Sequence, residues 1–166
     1  IFLHCMFDQM AYPLPEKPSI AVLAFRNLSG NPDDEYFSDG ITEEIITALS
    51  LNHKLFVISS NSTFKYKGKP VTVQQVSEEL GVRYVLQGSV TKVNDQVRIT
   101  AQLVDAVKGH HLWAERYNRK LHDIFAIQDN ITLRITGALD VALVDGAEGA
   151  IGMHYPKNLD TYLKIL

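Results

Sequence analysis

The sequence predicts an α/β domain, with a mixed sheet of about five strands packed with about three helices. Three observations predict it. Two short apolar runs, residues 19–25 (SIAVLAF) and 55–59, enclose a segment of helical periodicity, the pattern of a strand–helix–strand unit. Residues 83–93 and 96–105 flank Asn94-Asp95, a dipeptide suited to a two-residue hairpin turn. A long stretch after residue 123 carries isoleucine and leucine every fourth position, the stripe of one core-facing helix.

Residues 1–18 read as a linker, because Pro13, Pro15 and Pro18 deny helix and favour extended backbone. Residues 19–25 read as a buried strand and 27–34, rich in Asn, Ser, Gly, Pro and Asp, as a loop. The spacing of Ile41, Ile45, Ala48 and Leu49 predicts a helix over 39–50. Ser38 or Asp39 would cap it, and Glu43 and Glu44 in its first turn suit the helix dipole. A right-handed crossover then makes the run at 55–59 parallel to the first strand. A second helix is expected over 72–80, with Thr72 and Gln75 as a capping box, Val73, Val76 and Leu80 as the stripe, and Gly81 as the stop.

Strict alternation marks the next part. Val97, Ile99, Ala101 and Leu103 alternate with Arg98, Thr100 and Gln102, as in a half-buried strand. Lys108-Gly109 turns the chain into a third strand over 110–119, where Leu112, Ala114 and Arg116 alternate with Trp113, Glu115 and Tyr117. The three strands form an antiparallel meander. A helix over 124–144, capped by Asp123, presents Ile127, Ile131, Ile135, Leu139 and Ala142 to the core. Gly146, Gly149 and Gly152 mark a linker, and 158–166 read as the start of another helix.

Composition bounds the function. With 166 residues, 46% of them hydrophobic, the chain suits one globular domain of 19–145 between linkers. A net charge of -3 and no strongly basic region argue against nucleic-acid binding by phosphate neutralisation. Cys5 is the single cysteine, so an intramolecular disulfide and cysteine-based zinc spacing are both excluded. The apolar opening, residues 1–7, is far shorter than the roughly 20 residues that span a bilayer. The chain begins on Ile1 rather than Met, which suggests a piece of a longer parent. The compartment stays open: cytoplasmic, or periplasmic if a membrane helix precedes residue 1 in the parent.

Several clusters invite chemistry and have plainer readings. Asp33, Asp34, Glu35, Asp39, Glu43 and Glu44 are numerous enough for a cation, yet they lack EF-hand spacing, and capping and the helix dipole account for several of them. Residues 37–42 (FSDGIT) superficially resemble the first metal-aspartate segment of class III cyclases. The Gly-Phe-Thr element, the second metal aspartate and the Asn-x-x-x-Arg pair of such enzymes do not follow. His111, Trp113 and Glu115 would share one strand face with His110 on the other, too few ligands for a metal. The glycines form neither GxGxxG nor a P-loop, and GxSxG does not occur. We therefore expect no catalytic residue, no metal and no cofactor in this segment. In open α/β sheets ligands favour the carboxyl ends of strands, which singles out Arg26, Asn27, Ser29 and Tyr36 after the first strand and Ser60 and Asn61 after the second. Arg98, Trp113 and Arg116 on the meander are the candidate interface residues, because an antiparallel sheet can leave one face open to a partner; cross-strand pairs of the arginines with Glu115 or Asp105 are expected.

The segments PSIAVLAFRNLSG, EYFSDGITEEIITALS, ELGVRYVLQGSV, VRITAQLVDAVKGHHLWAERYNR and DIFAIQDNIT together resemble the TolB-like domain of multidomain bacterial signalling proteins. The resemblance covers residues 18–141, with a further match at 158–166, and departs at Ala24, where that family usually has proline. It implies the fold of the TolB N-terminal domain, helices against a five-stranded mixed sheet. It also implies a place between an N-terminal output domain, a class III adenylate/guanylate cyclase or a winged-helix domain, and C-terminal tetratricopeptide repeats. The function it implies is a non-catalytic sensor or protein-interaction module, whose partners are other domains of the same parent, a second copy of itself, or an unknown protein or small-molecule signal. The alternatives are a small-molecule receptor domain with a polar site at the strand ends, and a fragment of a cyclase without its catalytic domain.

Overall fold

The computed structural model describes residues 10–146, with side chains described to residue 140. The expectations for Cys5, for the glycine linker beyond Gly146 and for a helix over 158–166 lie outside the described residues, as does the side chain of Ala142.

The described residues form six strands and four α-helices, an α/β chain: β1 (Ser19–Val22), β2 (Arg26–Asn27), α1 (Glu35–Ser50), β3 (Phe56–Val57), α2 (Ser60–Thr63), α3 (Val73–Leu80), β4 (Tyr84–Val93), β5 (Gln96–Asp105), β6 (His110–Lys120) and α4 (Ile124–Gly146). The sheet is mixed, in the order β3-β1-β4-β5-β6, with β2 also paired to β4. β1 lies parallel to both β3 and β4, and the β4–β5–β6 meander is antiparallel.

β1 and β2 are one strand interrupted by a bulge. Ile20 faces Tyr84 and Val22 faces Leu86, but Arg26 faces Ser89, so the first strand carries one residue more than its partner. Phe25 sits in the interruption, and its N–H turns away from β4 to the Thr42 hydroxyl of α1 at 3.0 Å. Ala24, the departure from the TolB-like pattern, lies in the same bulge. A second bulge interrupts β6. Leu103 faces Trp113 while Val104 faces His111, which leaves Leu112 as the extra residue.

Each face of the sheet is built from alternate residues. Ile20, Val22, Leu86, Ile99, Ala101 and Leu103 point to one side, where they pack with Ile41, Ile45 and Leu49 of α1 and with Ile127, Ile131, Ile135 and Leu139 of α4. Ile131, Ile135 and Leu139 are fully buried, each worth about 1.5–3 kcal/mol relative to exposure. The other side is covered only in part. Ala21 and Val85 pack there with Tyr66, Val76 of α3, Val82 and Ala106.

Local signals explain most boundaries. Thr72 accepts from Gln75 N at 3.0 Å and Gly81 ends α3 with φ +68°. Asn94 takes φ +54° in the two-residue hairpin. Two corrections concern helices. α1 starts at Glu35 rather than at residue 39, since Asn31 accepts from Asp33 N at 3.0 Å and Pro32 opens a 3-10 turn that runs into the helix. Ser38 is therefore buried inside α1 instead of capping it. Gln75 also does not close its capping box; its amide donates to Glu79 at 3.2 Å.

Candidate functional site

The bulge that turns Phe25 toward α1 also opens the edge of β2. β3 pairs only with the start of β1, so its cover ends before the bulge. The loop between α2 and α3 fills part of that edge and leaves an open cleft of about 710 Å³. Arg26 and Asn27 form one wall, Lys67, Gly68, Lys69 and Pro70 the other, and Gln87, Ser89, Thr100 and Gln102 of β4 and β5 line the floor.

The loop wall is pinned. Lys67 Nζ lies 2.7 Å from Asp39 Oδ2 and 3.0 Å from Glu35 Oε2, both on α1. The hydrogen bond to Asp39, supported by Glu35, raises the Lys67 pKa above its ordinary value, against a smaller opposing effect of burial. Tyr66, just before it, is buried and donates to Glu79 of α3. Burial first, and the adjacent Glu79 second, push its phenol up to about 12.

Lys67 is thus matched by two carboxylates, whereas Arg26 and Lys69 have no ion-pair partner among the described residues. The cleft is lined by Arg26, Lys67 and Lys69 against Glu35 alone, an excess of positive charge in a chain of net charge -3. Its floor is uncharged and can both donate and accept, with the Gln87 and Gln102 amides 3.4 Å apart across β4 and β5.

Of the residues singled out for ligand binding, Arg26 and Asn27 line this cleft. Ser29 does not: its hydroxyl accepts from Lys92 N at 2.8 Å and fastens the end of β2 to β4. Tyr36 lies on α1 and is 88% exposed. Ser60 and Asn61 belong to α2, outside the cleft lining. Lys67 and Lys69 have no local signal as site residues; they join Arg26 only because the loop folds back across the sheet edge. Thr100 and Gln102 were read as polar positions of an alternating strand; Gln87 and Ser89 were not singled out, and nothing signalled that β2 would border them.

Beyond the cleft, the same side of the meander is free of helices among the described residues. Arg98 and Arg116 stand there, exposed, with Arg98 Nε 2.7 Å from Asn118 Oδ1 on β6. Trp113 faces the opposite side and packs partly against the core under α4. The three candidate interface residues therefore do not share a face. The bulge at Leu112 also separates His111, opposite Val104, from Trp113 and Glu115, which stand opposite Leu103 and Ala101. Nor do the arginines take the expected partners. Glu115 lies 3.8 Å from Arg134 of α4 and accepts from the Tyr117 hydroxyl at 3.3 Å. Burial first, then the Glu115 charge, drives the Tyr117 phenol well above its ordinary range. Asp105 instead takes Arg83, at 3.0 Å.

Comparison with known proteins agrees with this architecture. The fold resembles TolB from Acinetobacter baumannii (TM-score 0.56, 20% identity, 78% of this chain and 30% of that one). It also resembles lipoprotein GNA1162 from Neisseria meningitidis (TM-score 0.52, 19% identity, 72% of this chain and 98% of that one). A Rhizobium meliloti protein named "Putative adenylate cyclase 3" is 58% identical over 135 residues. That match takes in 81% of this chain and 23% of the relative, so the chain spans about a quarter of the relative's length. Residues 16–134 match the family described as "HilA/YgeH-like transcriptional regulator, second domain". Since that match extends over most of the chain and the mixed α/β fold agrees with a TolB-like arrangement, the chain belongs to the HilA/YgeH-like transcriptional regulator second-domain family.

Proposed function

We propose that this chain is a non-catalytic regulatory module of a longer bacterial signalling protein, and that it docks on a neighbouring domain of the same parent. The observation that carries the reading is the asymmetry of the meander. One face is sealed by α1 and α4, while the other holds Arg98, Arg116, Thr91 and Asn118 on long strands with no helix over them among the described residues. An open antiparallel face is stable in water and is also a ready surface for a second module. Its polar and cationic character suits a transient interdomain contact rather than an obligate one.

The relatives support one choice of neighbour. The 58% identical protein is named an adenylate cyclase, and the stretch it shares with this chain is 23% of its length. The family description names a transcriptional regulator. A common module attached to different outputs fits both. For this chain we take the output as a class III adenylate/guanylate cyclase domain N-terminal to it. We assign residues 19–145 to the module, 1–18 to the linker from that output, and 146–166 to a linker and the start of a tetratricopeptide-type helical region.

The test has two arms. The purified chain, given ATP and Mg2+, should form no cyclic AMP. In a parent carrying a cyclase domain, Arg98→Glu with Arg116→Glu should change the cyclase rate by several-fold while leaving the fold of the module intact. Cyclic AMP made by the isolated chain, or a parent indifferent to the double substitution, would overturn the reading.

A further inference from the structure

We propose that the cleft between β2 and the α2–α3 loop is a binding site for a small organic phosphate, with Arg26 and Lys69 holding the anion and Gln87, Ser89, Thr100 and Gln102 the polar body of the molecule. Size is the first argument. A cleft of about 710 Å³ lies within the roughly 300–1,000 Å³ typical of small-molecule sites.

Charge is the second. Two cations without ion-pair partners among the described residues face one opening, Arg26 on a strand and Lys69 on the loop, while the third, Lys67, is held by Asp39 and Glu35. Like charges gathered at one cleft repel one another, and an anion between them removes that cost. Arg26 offers a planar fork and Lys69 a compact ammonium, a pairing that suits a tetrahedral phosphate.

The floor is the third argument. Gln87 and Ser89 on β4 stand beside Gln102 and Thr100 on β5, in register. Four uncharged side chains that donate and accept hydrogen bonds are arranged over two adjacent strands, and Ser89 is the register partner of Arg26. The anion and the polar body of a single molecule can therefore be met side by side. Lys67 serves as a positioning residue, because its two ion pairs fix the loop that carries Lys69.

The site stands apart from the docking reading, since Arg98 and Arg116 do not line the cleft and binding needs only the isolated chain. Isothermal titration at low salt would use AMP, ribose 5-phosphate, inorganic phosphate and adenosine as probes. Both esters should bind. Inorganic phosphate should bind about tenfold more weakly, for want of contacts with the floor, and adenosine should not bind. Arg26→Glu with Lys69→Glu should weaken both esters by at least about tenfold. Lys108→Glu, on an exposed turn outside the cleft, should leave them unchanged. Circular dichroism would confirm that each variant is folded. The proposal is overturned if neither ester binds, if adenosine binds as tightly as AMP, if inorganic phosphate matches the esters, or if the double variant binds as well as the parent chain.

Discussion

The Phe25 N–H donates to the Thr42 hydroxyl at 3.0 Å, and this one bond joins the bulge in the first strand to α1. The Thr42 hydroxyl in turn donates to Ser38 O at 3.0 Å, so its hydrogen and an acceptor site are both used. Thr42 is fully buried and Phe25 nearly so. Without the hydroxyl the Phe25 N–H would be orphaned in the core, because the bulge has already removed it from the β4 ladder. Thr42→Val should therefore cost about 1–3 kcal/mol, the penalty of an unsatisfied buried donor. Thr42→Ser keeps the oxygen and should recover most of it. Urea unfolding of the three proteins checks the order; equal stability of the valine and threonine forms would remove the bond from any structural role.

Gly88 marks the other side of the same bulge. A Cβ there would stand 2.7 Å from the Phe25 ring and closer still to the Thr100 carbonyl. The ring can shift slightly, but the carbonyl belongs to β5 and cannot move without disturbing the ladder. Gly88→Ala should cost at least about 1–3 kcal/mol. Adding Phe25→Leu should not restore stability, since the carbonyl remains and a cavity is added. Recovery in the double variant would show that the ring alone set the limit.

These two sites show where sequence patterns stop informing. Strict alternation in β5 gave Val97, Ile99, Ala101 and Leu103 as its core face, and Gly81 and Asn94 marked their turns, because each signal is local. The run at 19–25 is apolar almost throughout, so period 2 has nothing to alternate with and a one-residue bulge leaves no trace. Leu112 and Trp113 are likewise both apolar, which hid the bulge in β6. The early start of α1 was missed because Asn31 and Pro32 sit in a stretch rich in loop-forming residues, whereas Ser38 and Asp39 stood just before the apolar stripe as evident caps. Arg26 and Asn27, which line the cleft, were singled out by the rule that ligands gather at strand ends. Lys67 and Lys69 were not, because their place beside Arg26 depends on a loop folding across a sheet edge.

Asp105 is 2% exposed and serves three neighbours at once. It pairs with Arg83, 3.0 Å from Nη2, and its Oδ1 accepts from Val107 N and Lys108 N at 3.1 Å each. Burial is the largest single effect and opposes the Arg83 charge, but the hydrogen bonds to Asp105, together with the charges of Tyr84 and Asp105, outweigh it and raise the arginine pKa. Asp105→Ala strands a partly buried cation and frees two turn donors, so it should cost about 3–5 kcal/mol. Asp105→Asn retains a turn acceptor and loses only the charge, at about 1.5–3 kcal/mol. Denaturant midpoints should fall in the order aspartate, asparagine, alanine. An asparagine form as unstable as alanine would mean that the ion pair, rather than the turn, accounts for the whole effect.

Tyr66 should give the fold an alkaline limit. Burial, then the hydrogen bond and charge of Glu79, push its phenol up to about 12 from the roughly 10 of an unfolded chain. A group whose folded pKa is raised contributes fully below the unfolded value. That contribution is lost as pH rises from about 10 through about 12, because the unfolded chain gives up the proton first. Glu79 works in the opposite direction: the Tyr66 hydrogen bond, followed by that of Gln75, lowers its pKa, so its share is present above the ordinary carboxylate range and is lost as pH falls. Tyr66→Phe should reduce stability by about 1 kcal/mol near neutrality and flatten both flanks of the pH profile. The upward shifts of Tyr84 and Tyr117 should leave part of the alkaline slope in place. Urea midpoints from pH 4 to pH 12 would measure this, and identical slopes in the two proteins would show that the Tyr66–Glu79 pair carries no part of the pH dependence.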